Sequence, residues 1–130
     1  MSLYIYRAKV LRVVDGDTID VRVDLGFAIS AEMRFRFEII DAPETYRPKS
    51  KGELEHGKEA TAYVQEQIED KYIIIKTNKD KRGKYRWVCL VHDYEGRDPE
   101  VIESILDGTR QSLNERMIEL GLEKLENYAG

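Results

Sequence analysis

Two carboxylates, Asp17 and Asp41, stand where strand-like runs begin or end, and Arg36 and Glu44 flank the second of them. They occur in the segments Val14-Asp15-Gly16-Asp17-Thr18, Arg34-Phe35-Arg36-Phe37 and Ile39-Ile40-Asp41-Ala42-Pro43-Glu44-Thr45. Together these side chains are what a metal-assisted attack on a phosphodiester needs. Such a reaction uses oxygen ligands for a hard cation, a fixed positive charge for the phosphate oxygens, and a carboxylate that orients water. The spacing allows one shared pocket. Arg36 lies five residues before Asp41, so a strand with a bend can turn both to one side. Glu44 lies three residues beyond, past a proline that stiffens the turn.

Each segment also has a simpler explanation. Asp15-Gly16 is a hairpin-turn pair between apolar runs. A calcium EF-hand counted from Asp15 fails, because Asp20 falls where Gly is required and Gly26 where the bidentate Glu is required. An Asp ahead of a Pro-containing turn often bonds its own backbone. Arg34 and Arg36 share the polar face of one strand, which is either solvated or offers one guanidinium for bidentate phosphate contact. The charged turn at residues 79–84 is either a solvated hairpin tip or the source of a second phosphate-binding cation. Tyr46, Tyr85 and Trp87 are candidate base-stacking faces, with Trp87 assigned to the core. His56 and His92 have no metal-type neighbours and receive no role. Neither a Cys/His zinc spacing nor a Gly-rich phosphate loop is present.

The elements that must position these residues follow from periodicity. Residues 5–14 are rich in Val, Ile and Tyr and read as a strand. Residues 18–23 alternate, with Ile19, Val21 and Val23 on one face and Asp20 and Arg22 on the other. Met33, Phe35, Phe37 and Ile39 alternate with Arg34, Arg36 and Glu38 in a third strand that stops at Pro43. A basic loop at residues 48–52 leads into a helix over about residues 54–70, with Ala60, Tyr63, Val64, Gln67 and Ile68 at helical spacing. Residues 72–76 and 85–91 are the fourth and fifth strands. Asp98-Pro99 opens a further helix that ends at Asp107-Gly108. Ser112-Leu113-Asn114-Glu115 is a capping box for a last helix, with Leu113, Met117 and Leu120 on one face and a stop at Gly121. Five short strands, with one helix between the third and fourth and helices after the fifth, predict an α+β β-barrel. It is an oligonucleotide-binding (OB) fold, a five-stranded barrel plus two to three helices.

Size and composition bound this reading. The chain has 130 residues, which suits a single domain over residues 1–130. It is 42% hydrophobic and 35% charged, the balance of a globular rather than a disordered chain. No apolar run approaches the roughly 20 residues of a membrane span. The N-terminus enters a strand-like pattern at once and shows no signal peptide, so the expected location is cytoplasmic unless a leader has been removed. The one cysteine, Cys89, lies in an apolar run and reads as a buried hydrophobe. The net charge of −4 is unevenly placed, since residues 98–130 hold eight acidic and only three basic side chains. The acidic excess thus lies away from the candidate site and says little against an anionic partner. A bound divalent cation would reverse the local sign of the acidic cluster.

In order, Val13-Val14-Asp15-Gly16-Asp17-Thr18, Phe35 to Thr45, Gly57-Lys58-Glu59-Ala60, Asp80-Lys81-Arg82-Gly83-Lys84 and Leu113 to Leu122 resemble the staphylococcal nuclease (thermonuclease) family. The likeness spans about residues 5–96 and 112–125. It implies a Ca²⁺-dependent nuclease on an OB fold that cuts DNA and RNA to 3′-phosphate products; the expected state is a monomer. By the same resemblance Asp17, Asp41 and the backbone carbonyl of Ala42 hold Ca²⁺, Glu44 orients or deprotonates the attacking water, and Arg36 contacts the phosphate. Many relatives carry Thr at the Ala42 position. The family's second catalytic arginine is Lys84 here, a point charge without the planar fork, with Arg82 or Arg86 as neighbours able to stand in. Arg82, Tyr85, Arg86 and Tyr128 are the implied substrate contacts. Residues 97–111 look like an insertion, and the family's last helix is shortened or absent. Two rivals remain: a non-catalytic nuclease-like module that binds nucleic acid or protein, and an OB-type interaction domain that uses the acidic surface at residues 98–126.

Overall fold

The computed structural model describes residues 4–79 and 87–128. Five strands, β1 (Ile5–Asp15), β2 (Thr18–Asp24), β3 (Ser30–Phe37), β4 (Tyr72–Lys79) and β5 (Trp87–His92), close into a barrel in the order β1-β2-β3-β5-β4. Three helices, α1 (Lys51–Ile68), α2 (Pro99–Leu106) and α3 (Leu113–Glu119), complete the α+β OB architecture. No helix among the described residues is long and apolar enough to cross a membrane.

Alternation along the strands sends one face of each inward. Val10, Val13, Ile19, Val21, Phe35, Phe37, Ile73, Ile75, Cys89 and Val91 fill the barrel. α1 adds Gly57, Ala60, Val64 and Ile68, which recur at three- and four-residue steps and so form one buried stripe. β1 is long enough to pair with both β2 and β4, and its register slips twice against β2, between Val10 and Arg12 and between Val13 and Asp15. Such irregularities sharpen strand bend and twist, as a small barrel requires.

The weakest seam is the parallel one. Among the described residues, β3 and β5 share the partners Arg36–Val88 and Phe37–Cys89. A carboxamide from α3 extends the seam: Asn114 Oδ1 accepts from Val91 N–H (2.8 Å), and its Nδ2 donates to the carbonyls of Glu38 (2.9 Å) and Cys89 (3.0 Å). Asn114 is fully buried, and its bonds serve backbone groups at the seam, where the Cys89 carbonyl also accepts from Glu38 N–H at 2.9 Å. The Ser112–Glu115 capping box forms as the sequence predicts, with the Ser112 hydroxyl accepting from Glu115 N–H.

Several details depart from expectation. β3 ends at Phe37, before Ile39. Ile39 adopts φ +61° and is exposed, so the chain reverses there and Ile40 takes the inward place. α1 begins at Lys51 because Ser50 caps it, so the predicted loop at residues 48–52 already contains the first turn. Leu120, expected on the buried face of α3, is 55% exposed, because the helix stops at Glu119 and its buried contacts end at Met117. Trp87, expected in the core, is 46% exposed at the start of β5.

Candidate functional site

The β1–β2 hairpin leaves Gly16 and Asp17 as its two turn residues, with Asp15 paired to Thr18. Asp15 is consumed by local structure: its Oδ1 accepts from Gly16 N–H (2.9 Å), Thr61 (3.3 Å) and Thr45 (3.4 Å). Asp17 is only 7% exposed. Its Oδ2 accepts from the buried Ala42 N–H (2.9 Å), its Oδ1 from the Thr18 hydroxyl (3.0 Å), and its carbonyl from Phe37 N–H (2.8 Å). The turn is therefore locked to both ends of the segment that carries Asp41. Gly16 makes this approach possible, since a Cβ there would lie 2.9 Å from the methyls of both Ala42 and Ala60.

Arg36 faces Thr18 across the β2–β3 ladder, so its guanidinium reaches over the turn. The same terminal nitrogen, Nη2, is 2.6 Å from Asp41 Oδ1 and 3.6 Å from Asp17 Oδ2. Both carboxylates therefore converge on one point. Arg34, its neighbour on the same face, is occupied: Nε and Nη2 bind Asp20 at 2.7 and 3.1 Å. The choice between the two arginines, open in the sequence, is thus made by their partners.

Asp41 differs from Asp17 in environment. Its side chain is 66% exposed, and its carbonyl accepts from Lys124 N–H (2.7 Å). Burial pushes the Asp17 carboxyl above its ordinary value; the Ala42 N–H and the Arg36 guanidinium oppose the shift without cancelling it. Glu44 is exposed just past the buried Pro43, and its side chain makes no hydrogen bond or ion pair among the described residues. The loop behind it is pressed onto α1, where a Cβ on Gly57 would meet Pro43 O and Thr45 Cγ2 at 2.7 Å.

A divalent cation suits this donor set in part. Asp17 and Asp41 share one point, and a nearby cation would relieve the desolvation cost that Asp17 carries. Among the described residues no three His, Cys, Asp or Glu side chains gather as a ligand group. The further oxygens a calcium ion needs would come from the Ala42 carbonyl, water and a bound phosphate.

Lys84, Arg82, Tyr85 and Arg86 lie outside the described residues. The Tyr128 hydroxyl is engaged within the protein: it lies 2.7 Å from His56 Nδ1 and accepts from Leu125 N–H (3.0 Å). His56 Nε2–H donates to the Gly121 carbonyl (2.7 Å), so a histidine left without a role anchors the C-terminal segment to α1. Sequence reasoning also passed over Glu53, 1% exposed on α1, and Lys124, whose ammonium is 3.3 Å from it. A signal for Glu53 was present: Ser50-x-x-Glu53 is the spacing of a helix start, and Ser50 Oγ accepts from Glu53 N–H.

The family model for staphylococcal nuclease homologues matches residues 34–129, from Arg34 on β3 to the end of the C-terminal segment. Comparison with the curated proteins gives no match.

Proposed function

The chain belongs to the staphylococcal nuclease homologue family, and we propose that it is a Ca²⁺-dependent nuclease hydrolysing phosphodiester bonds of DNA and RNA to 3′-phosphate products. The observation that carries this reading is the placement of one Arg36 nitrogen between Asp17 and Asp41. A guanidinium held between two carboxylates stands beside the place a phosphate and its counter-cation would take, and it reaches the phosphate by exchanging one carboxylate contact.

Asp17, Asp41 and the Ala42 carbonyl are the residues that would hold Ca²⁺, which when bound neutralises phosphate charge and polarises the P–O bond. The chain's own groups divide the remaining tasks. Arg36 exchanges its Asp41 contact for the phosphate oxygens and stabilises the charge that grows on them in the pentacovalent state. Glu44, exposed and without a side-chain partner among the described residues, accepts a hydrogen bond from the attacking water and orients it for in-line displacement. As the water oxygen bonds phosphorus, Glu44 takes the water's proton, the P–O5′ bond breaks, and the departing 5′-oxygen takes a proton from solvent. Lys84, or Arg82 or Arg86 beside it, supplies a second positive charge.

The competing reading is a module of the same family that binds nucleic acid without cutting it. Lys84 in the place of a second arginine favours it, because an ammonium cannot make the paired contacts of a guanidinium. Digestion of a single-stranded DNA and an RNA oligonucleotide, with Ca²⁺ and with chelator, separates the two. Cleavage that requires Ca²⁺, yields 3′-phosphate ends and falls at least a hundredfold in Glu44→Gln supports the enzyme. Binding without turnover, indifferent to Asp17→Ala, supports the module.

A further inference from the structure

We propose that Glu53 and Lys124 form a positioning pair for the carboxylate loop: Glu53 on α1 fixes the Lys124 ammonium, and the Lys124 backbone fixes Asp41. The pair's role rests on the nuclease reading above, and neither side chain touches substrate or metal.

Glu53 is buried in the first turn of α1, where an ionised carboxylate requires partners. Its Oε1 accepts from Lys49 N–H at 2.7 Å, and its Oε2 lies 3.3 Å from Lys124 Nζ. The Lys49 N–H contributes most to holding the carboxyl below its ordinary pKa, with Lys124 and the Glu44 N–H adding to it. Glu53 therefore faces the two backbone stretches on either side of the turn that follows the candidate site. Oε2 has no well-aligned hydrogen bond, so the lysine is the group that compensates it.

Lys124 then reaches the site through its backbone. Its N–H donates to the Asp41 carbonyl at 2.7 Å, which joins the C-terminal segment to the loop. The loop is held from the inner side by the Ala42 N–H on Asp17 and by the close approach of Gly57 to Pro43 and Thr45. Lys124 holds it from the outer side.

This clamp has a definite use in the reaction. The Asp41 side chain is largely exposed, and its partner among the described residues is Arg36. When that guanidinium turns to a phosphate, Asp41 loses the contact that orients it, and the backbone bond to Lys124 remains. The Glu44 side chain has no partner among the described residues, so its direction is set by its backbone, which lies in the loop held against α1 by the close approach of Gly57 and by the Lys49 N–H bond to Glu53. A buried ion pair contributes little net stability but fixes the geometry of what it joins. Here it joins α1, the C-terminal segment and the loop that carries both acids.

The test compares Glu53→Gln, Lys124→Met and Lys124→Arg with the wild type in two measurements: steady-state oligonucleotide cleavage and amide hydrogen exchange at Glu44 and Lys124. Glu53→Gln is expected to lower kcat ten- to a hundredfold, leave KM within about twofold, and speed exchange at both amides at least tenfold. Lys124→Met should act in the same direction but less, and it decides the matter if Glu53→Gln fails to fold. Lys124→Arg keeps the cation and should restore kcat to within about threefold of the wild type. A folded Glu53→Gln variant with wild-type kcat overturns the role, as does a rise in KM alone. Unchanged amide exchange in a protein that does cut overturns the clamp and leaves the nuclease standing. A wild type without turnover removes the nuclease reading, and with it the catalytic purpose of the pair.

Discussion

Asp17 combines a residue's cost with its use. The folded chain encloses its carboxylate, and burial outweighs the Ala42 N–H and Arg36 in setting its pKa, which rises above 3.8. An acid whose folded pKa exceeds its unfolded one binds protons more tightly when native, so its contribution to stability declines as pH rises from about 4 through the folded value. At neutral pH the whole penalty is present. Asp17→Asn keeps an oxygen for the Ala42 N–H and removes the buried charge. The expected outcome without Ca²⁺ is a melting temperature higher by roughly 2–6 °C, read by circular dichroism at pH 7. A lower one would mean the charge is compensated. The same variant should lose the stabilisation that Ca²⁺ gives the wild type, about 2.7 kcal/mol when the ion is at a hundred times its dissociation constant. It should also not cleave. Arg36 offers a second measurement: Arg36→Lys keeps charge but not the fork, and kcat should fall by about 10²–10³ with little change in melting, since the pair is partly exposed. Asp17, Arg36 and Asp41 were legible in the sequence because strand alternation and a turn fix their directions. The family resemblance named Arg36 over Arg34, but the physical reason, Asp20 standing opposite Arg34 across the ladder, shows only in the fold. Glu53 and Lys124 escaped notice because they meet only after the C-terminal segment has folded back onto α1.

At the scale of elements, all five strands and all three helices were legible, and the errors cluster at ends. The Ile39 reversal breaks a period-two pattern that continues through it in the sequence, since alternation cannot show a positive φ at a non-glycine residue. The early start of α1 followed from the Ser50 cap, hidden inside a run that reads as loop by its Pro, Lys and Gly. The α1–loop contact yields a sharp prediction. Gly57 is fully enclosed, and its missing Cβ leaves room for Pro43 O, Glu44 O and Thr45 Cγ2. Alanine is the better helix former by about 1 kcal/mol, which would make Gly57→Ala stabilising on an open helix surface. Here its methyl would lie 2.7 Å from a carbonyl oxygen, so overpacking by roughly 1–3 kcal/mol should reverse the sign. Denaturant unfolding should show a net loss of stability, and cleavage should fall further than stability does, because the atoms displaced carry Glu44. A stabilised, fully active Gly57→Ala protein would show that the loop gives way freely. α3 has its own handle: Ser112→Ala removes the hydroxyl half of the capping box, leaves the residue-112 N–H to Glu115, and should cost about 1 kcal/mol.

The molecule as a whole places its candidate site at one end of the barrel, and the acidic C-terminal stretch reaches that end through Lys124. The acidic surplus lies after residue 97, while the candidate site sits where the β1–β2 turn, the end of β3 and α1 meet at one end of the barrel. Global stability is therefore best probed away from that end, and His92 is the group to use. It closes β5 at 3% exposure, with Nδ1 buried and unbonded. Burial lowers its pKa from 6.5 to about 4, and the nearby charges of Lys76 and Arg110 push the same way against Glu115 and Asp93. The unfolded chain then binds a proton that the native state refuses between pH 6.5 and 4. The stability this residue confers is complete above pH 6.5 and is lost as pH falls toward 4. The span of about 2.5 pH units corresponds to roughly 3 kcal/mol at most. Melting temperature should stay level from pH 8 to 7 and decline steadily below 6.5, before the carboxylates Asp20, Glu53 and Asp93, whose pKa values are lowered in the fold, begin to protonate. His92→Gln should flatten the decline between pH 6.5 and 4.5 and leave the steeper acid limb in place. An unchanged slope in that variant would show that the β5 end of the barrel admits a charge that its burial argues against.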